Sequence, residues 1–269
     1  MGRSPGLALR RVRQTFSFAN GGRVLLDLAS SRAPWRRDEL VFETRDGAVI
    51  TCPNWPGARV PVYEVFAEDA YHLRDTLAGL SPTPRILDIG GQVGCFSVAA
   101  ARFAPTAVVH TYEASATTAT WLARNVARND LADRVTVNAT AVAGHDGTLE
   151  LVDNGHASGL NGGATAGTLV TVPCVTFAAA LTRLLELPVD GAPSDTVDLV
   201  KLDTEGAEFD IVLSSEPADW APVRRVVMEY HDVAGHSWSE LEAFFAEAGL
   251  TVTRHEPNGD RYGTVWLAR

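Results

Sequence analysis

The run Arg85-Ile86-Leu87-Asp88-Ile89-Gly90-Gly91-Gln92-Val93-Gly94-Cys95-Phe96 decides how this chain is read. An apolar stretch meets an acid at Asp88, glycines follow at Gly90, Gly91 and Gly94, and a helical segment then begins. A strand that ends in a glycine-rich turn and opens a helix aims backbone N–H groups at a ligand beyond its carboxyl end. Glycine leaves room for that ligand to approach the main chain. The carboxylate is as informative as the glycines. A turn that only cradles a pyrophosphate gains nothing from an anion, whereas a ligand carrying an ammonium and a sulfonium does. The dinucleotide fingerprint also spaces its glycines as Gly-x-Gly-x-x-Gly, which this turn does not. S-adenosylmethionine is therefore expected before NAD.

Two further stretches extend the reading. Ala107 to Glu113 is mostly apolar and ends in an acid, as a second buried strand would. One strand-helix-strand unit places such an acid beside the ribose of a bound nucleoside, where it accepts from both hydroxyls. The stretch Thr196-Val197-Asp198-Leu199-Val200-Lys201-Leu202-Asp203-Thr204-Glu205-Gly206-Ala207-Glu208-Phe209 reads as another strand ending in acids. Together, Asp88 to Gly94, Tyr112-Glu113, Lys201 to Glu208 and Met228-Glu229-Tyr230-His231 resemble the FkbM family of S-adenosylmethionine-dependent methyltransferases, over about Tyr63 to Arg269. The sequence departs from that family's pattern twice. Glu113-Ala114-Ser115 stands where Glu-Pro-Asn is usual, and Gly90-Gly91-Gln92 where Gly-Ala-Asn is usual.

The resemblance implies a class I, Rossmann-like fold. It also implies a cofactor-binding set of Asp88, Gly90, Gly91, Gly94, Glu113, Ala114, Val142 and Asp203. His231 and Glu205 are the catalytic candidates. His231 is expected to act as a base of near-neutral pKa toward an acceptor hydroxyl, oriented by Glu229 from the same strand face. Glu205 is an alternative base, or a cap for a helix starting near Gly206. No metal is expected, although Asp203, Glu205 and Glu229 carry oxygen ligands of the type magnesium takes. The acceptor is expected to be a small natural-product or sugar-like hydroxyl compound. A nicotinamide-dependent oxidoreductase and a non-catalytic binding protein on the same fold are the competing readings.

Composition agrees with an enzyme. A chain of 269 residues with 46% hydrophobic and 21% charged residues can bury a full core. No apolar run approaches a membrane span, and the apolar stretch after Met1 is too short for a signal peptide. Cys52, Cys95 and Cys174 are too scattered for a zinc site. A cytoplasmic protein with reduced thiols is expected. The net charge of −10 argues against a nucleic-acid partner, and no membrane partner is expected. Up to Arg37, however, there are eight arginines and one acid, Asp27. That arm could touch RNA or an acidic membrane, but packing on the acidic body is the preferred reading. Lys201 is the single lysine in the chain.

Along the chain, residues 1–80 read as an extension over the active-site side and 81–269 as the core. Within the extension, Leu7 to Arg32 is weakly helical, broken at Asn20-Gly21-Gly22. Leu40 to Glu43 and Ala48 to Cys52 form a hairpin, and Val62 to Leu80 forms one amphipathic helix. From Arg85 strands and helices alternate, predicting a doubly wound, mostly parallel sheet. Thr117 to Asn129 is helical, and Val135 to Ala143 is the third strand with Thr148 to Val152 pairing back on it. Phe177 to Leu187 is helical, Leu199 to Asp203 and Val226 to Tyr230 are strands, and Trp238 to Ala248 is a helix. Leu250 to His255 and Thr264 to Ala268 close the sheet as an antiparallel pair. The glycine-rich stretch Asn154 to Gly167 is a lid or a surface loop.

Overall fold

The computed structural model describes residues 5–30, 33–55, 57–153, 167–187, 195–259 and 261–269. The glycine-rich stretch falls almost entirely outside them. In chain order the elements are α1 (Pro5–Thr15), α2 (Gly21–Ala29), β1 (Glu39–Glu43), β2 (Val49–Pro53), α3 (Val60–Tyr63), a π-helical turn (Glu64–Glu68) and α4 (Leu73–Thr76). The core continues with β3 (Arg85–Ile89), α5 (Cys95–Phe103), β4 (Val108–Tyr112), α6 (Ala116–Arg128), β5 (Val135–Asn138), β6 (Ala141–Val142), β7 (Gly147–Asp153) and β8 (Thr168–Val175). It ends with α7 (Phe177–Leu185), β9 (Leu199–Leu202), α8 (Glu208–Leu213), β10 (Arg225–Tyr230), α9 (Trp238–Glu247), β11 (Thr251–Pro257) and β12 (Gly263–Ala268).

The main sheet runs β11-β12-β10-β9-β3-β4-β5. Its centre is parallel, and β12 is antiparallel to both neighbours. This is the doubly wound sheet with an antiparallel closing pair that the sequence predicts. The reason is in the residues: all of β3 and β9 is buried, as strands covered on both faces must be. Apolar side chains fill both faces, with Ile86, Val109 and Phe96 in one cluster and Leu87, Val200 and Phe177 in another. Helix starts are set by side-chain caps. Ser115 accepts from Thr118 N ahead of α6, and Thr176 from Ala179 N ahead of α7. Ser237 and Glu240 form a capping box at α9.

The hairpin β1–β2 is welded to the core through α6. Asn125 and Asn129, one helical turn apart, each pair with the backbone of β2. Asn125 accepts from Thr51 N at 2.8 Å and donates to Thr51 O at 2.8 Å. Asn129 does the same with Val49 N and O at 2.9 and 2.7 Å. Two side-chain amides thus complete the hydrogen bonding of an edge strand that would otherwise be buried unpaired.

Three expectations are corrected. Val62 to Leu80 is no single helix, because Asp69 and His72 adopt left-handed backbone at φ 52° and 45°, where L-residues seldom continue a helix. The third strand is split. Glu113 N pairs with Asn138 O, after which the chain leaves the main sheet and β6 joins a separate sheet of order β6-β8-β7. Residues 147–153 therefore pair with β8, not with the third strand. Strand β8 contains Pro173, a residue that argues against a strand in a sequence reading.

Candidate functional site

Strands β10, β9 and β3 are neighbours, with β4 beyond β3. Their carboxyl ends bring the turn at Gly90, the acids Glu113, Asp203 and Glu229, and His231 to one edge of the sheet, where ligands bind in such folds. Two clefts open there and share Gly90, Gln92, Asp203 and Glu205.

The first cleft, about 640 Å³ including its open mouth, is walled by Ile89, Tyr112, Ala114, Val142, Leu149 and Leu151. Glu113 is the carboxylate on its β4 side. It is buried, accepts from Gln92 N at 2.8 Å and Ser115 N at 2.9 Å, and burial pushes its pKa up to about 7 against those two bonds. An apolar slot with the fixed carboxylate of Glu113 on its β4 side suits a nucleoside: flat base against the side chains, ribose hydroxyls toward that acid. Of the predicted cofactor residues, Gly90, Glu113, Ala114, Val142 and Asp203 line this cleft.

The glycines serve the neighbouring chain as well as any ligand. A Cβ on Gly90 would lie 1.7 Å from the Asp203 carbonyl oxygen, and one on Gly91 would lie 2.1 Å from Thr111 Oγ1. Gly91 lines the second cleft, while Gly94 lines neither.

Asp88 is set deeper than the sequence suggests. Its carboxylate is fully buried, lines neither cleft, and accepts from Ser97 Oγ at 2.5 Å. Lys201, directly opposite on β9, approaches it at 3.3 Å. The lysine also donates to the Gly90 carbonyl at 2.6 Å and stands 3.6 Å from Asp203. Burial opposes its charge, but Asp88 and Asp203 outweigh burial and hold its pKa above the ordinary lysine value. The lone lysine is therefore the hub that ties the glycine turn to the end of β9. Asp88 contributes through that hub and not by direct contact with either cleft.

The second cleft, about 800 Å³, has two unlike walls. Val60, Pro61, Val65 and Phe96 are apolar, whereas Glu64, Asp203, Glu205, Glu229 and His231 are ionisable. Tyr71, on the segment before α4, donates its hydroxyl to Asp203 Oδ2 at 2.7 Å. Crowded acids raise one another's pKa. Burial, then Asp203, pushes Glu64 up to about 7 and Glu229 up to about 8. Glu205 is raised by the same two causes.

His231 does not meet the expectation of a near-neutral base. Burial lowers its pKa, but the hydrogen bond to Glu208 and the charges of Glu208, Asp203 and Glu205 raise it to about 10. At neutral pH the imidazole carries its proton. Its orienting partner is Glu208, at 3.1 Å from Nδ1, not Glu229. Nε2 faces Glu205 at 3.6 Å. Glu205 does not cap the following helix. It sits in left-handed backbone at φ 56°, and the fully buried Glu208 takes the turn's N–H groups, from Thr204 at 2.7 Å and Gly206 at 3.1 Å. Glu208 and Tyr71 were missed in the sequence. Glu208 stood within the quoted motif, but nothing local separates a clamp from a surface acid. Tyr71 lies 132 positions from its partner.

Among the described residues, Asp203, Glu208 and His231 bring metal-ligand atoms within 4.8 Å of one another. Glu208 already accepts from Thr204, Gly206 and His231, so an ion there would displace the bonds that shape the turn. The three cysteines are buried and form no disulfide, and no described helix is long and apolar enough to cross a membrane.

Known proteins resemble this chain in sequence and in fold. The family described as "Methyltransferase FkbM domain" matches residues 88–251. Methyltransferase sdnD of Sordaria araneosa is 28% identical over 216 residues, covering 71% of this chain and 81% of that protein. The 31-O-demethyl-FK506 methyltransferase FkbM of Streptomyces tacrolimicus is 27% identical over 234 residues, covering 78% and 88%. A SAM-dependent methyltransferase from Agrobacterium tumefaciens is similar in fold, with a TM-score of 0.50, 12% identity and coverage of 86% and 70%.

Proposed function

The chain belongs to the FkbM methyltransferase family, and from that premise we propose that it transfers a methyl group from S-adenosylmethionine to a hydroxyl of a small natural-product or sugar-like acceptor. The observation that carries this reading is the pair of clefts meeting at Gly90, Gln92, Asp203 and Glu205. The name of one relative specifies an O-demethyl compound, which favours oxygen as the acceptor atom.

The donor set fits the cofactor. Glu113 would take the ribose hydroxyls, with Ala114 and Val142 among the side chains flanking the base. Asp203, held by Tyr71 and Lys201, would take the ammonium end. Acids that retain protons for want of a counter-charge, Glu64 and Glu229 above all, suit a site that receives a sulfonium cation. When bound, the cofactor supplies an activated methyl and a neutral thioether leaving group.

The chain's own residues supply alignment and a proton acceptor. His231, charged at neutral pH and clamped by Glu208, cannot accept the hydroxyl proton. Its role is to hold Glu205 by charge. Glu205 lines both clefts and is the group we assign as the base, its raised pKa moving it toward the working pH. The apolar wall at Val60, Pro61 and Val65 excludes water from the acceptor side, so residues of the extension complete the cleft.

Incubation with methyl-labelled S-adenosylmethionine, and in parallel with NAD, tests this reading. Binding of the first and label transfer to a polyhydroxylated acceptor panel are expected. Binding of NAD alone would overturn it.

A further inference from the structure

Helix α1 turns its apolar stripe outward. Its inner face is fixed to the body by polar groups. Arg11 donates to Glu68 at 2.5 Å and lies 4.9 Å over the Tyr63 ring, Gln14 donates to Glu68 at 2.8 Å, and the Thr15 and Tyr63 hydroxyls bond at 2.7 Å. On the opposite side Leu9 and Val12 follow the i, i+3 spacing that aligns side chains on one helix face, and Phe16, one residue past the helix end, extends the row. They are 63%, 40% and 55% exposed. Arg10 and Arg13 flank the stripe and are exposed, Arg10 with one guanidinium nitrogen 3.5 Å from Glu68. On α2, Leu26 and Arg23 are exposed as well. Among the described side chains of α1, a polar inner face and an apolar solvent face invert the arrangement of an ordinary surface helix.

Charge supplies the second, independent observation. Up to Arg37 there are eight arginines and one acid in a chain of net charge −10. The preferred sequence reading, an arm packed on the acidic body, holds for Arg11 and, through a 3.5 Å approach to Glu68 from a largely exposed side chain, in part for Arg10, but not for Arg13 or the apolar stripe of the outer face. That face is apolar along its centre and basic along its flank. A stripe of three side chains is far short of the roughly 1,000 Å² that a stable protein interface buries. It matches instead what the headgroup region of an anionic bilayer takes up: apolar side chains below, arginines at the phosphates.

We propose that α1 docks this protein peripherally and reversibly on anionic lipid surfaces through Leu9, Val12 and Phe16, with Arg10 and Arg13 pairing to lipid phosphates. The acidic remainder of the molecule is repelled by the same surface, which orients the docked protein arm-first.

The test is co-sedimentation of the full chain with vesicles of phosphatidylcholine alone and of equimolar phosphatidylcholine and phosphatidylglycerol. The protein is expected to sediment with the anionic vesicles only, and less so at high salt. The triple substitution Leu9→Ser, Val12→Ser and Phe16→Ser should lower the bound fraction at least about tenfold. The pair Arg10→Glu and Arg13→Glu, which leaves the apolar stripe intact, should lower it similarly. Circular dichroism should show both variants folded, since every altered side chain is exposed. Equal binding to neutral vesicles, no binding to either, or unchanged binding of both variants would overturn the proposal. So would a dimer in solution that the triple substitution dissolves, because the stripe would then belong to a second copy.

Discussion

The two clefts differ in how their charge is arranged. In the first, Glu113 is the one carboxylate not shared with the second, and it stands among apolar side chains with both oxygens engaged by backbone N–H groups. In the second, four acids and a histidine crowd one wall, and tyrosine, lysine and a buried glutamate hold them in place. A site that only binds needs one well-placed anion. A site that must receive a cation and move a proton needs charges in tension, and the raised pKa values of Glu64, Glu229 and His231 are that tension.

The largest expected effect tests the division directly. Glu205→Gln should lower turnover by about 10²–10⁴-fold, the usual share of general-base catalysis, with cofactor affinity nearly unchanged. His231→Ala should lower turnover as well. Its pH profile should show no loss of an acidic limb near neutrality, because the wild-type imidazole titrates near 10. A profile in which an acidic limb near neutrality disappears with His231 would return the base to the histidine.

The next effect concerns the hub beneath both clefts. Lys201→Met leaves Asp88 buried without its partner and should destabilise the fold by about 3–5 kcal/mol. Adding Asp88→Asn should recover much of that loss, as read by chemical denaturation. Independent, additive effects of the two changes would show that the ion pair does not couple the turn to β9.

How much of this was legible follows from where the partners sit in the chain. Asp88 to Gly94, Glu113 and Asp203 to Glu208 each announce themselves within a dozen residues, because strand, turn and helix start are local. The central sheet and the first cleft follow from them. The second cleft depends on contacts across the whole chain. Tyr71 meets Asp203 only because the predicted long helix breaks at Asp69 and His72. The orienting role of Glu208 appears only when β10 lies beside β9. The charge state of His231 is set by three acids from one turn, which no single residue's identity discloses.

A smaller effect is expected from pH. Glu229 and Glu64 have folded-state pKa values raised above their unfolded ones, so the folded protein holds protons that the unfolded chain has released. The stability they contribute is full below about pH 4.5 and is lost as pH rises through about 7 and 8. His231 has the same sign, with its contribution lost between about pH 6.5 and 10. The thermal midpoint of the cofactor-free protein should therefore fall from pH 6 to pH 9. Glu229→Gln should flatten that fall, and a midpoint that rises over the range would refute the account of crowded acids. The smallest effect expected is none. A chelator should leave turnover unchanged, since Glu208 is committed to the turn, and loss of turnover that magnesium restores would contradict this.

The central claim, that the first cleft is the cofactor site and the second the chemical one, meets its most direct test in calorimetry. S-adenosylmethionine would be titrated into the wild type, Glu113→Ala and Glu205→Gln. The account predicts that Glu113→Ala weakens binding by about 1.5–3 kcal/mol, the scale of a hydrogen bond to a charged group, while Glu205→Gln binds nearly as the wild type does. Unchanged affinity in Glu113→Ala, or equal loss in both variants, would contradict it.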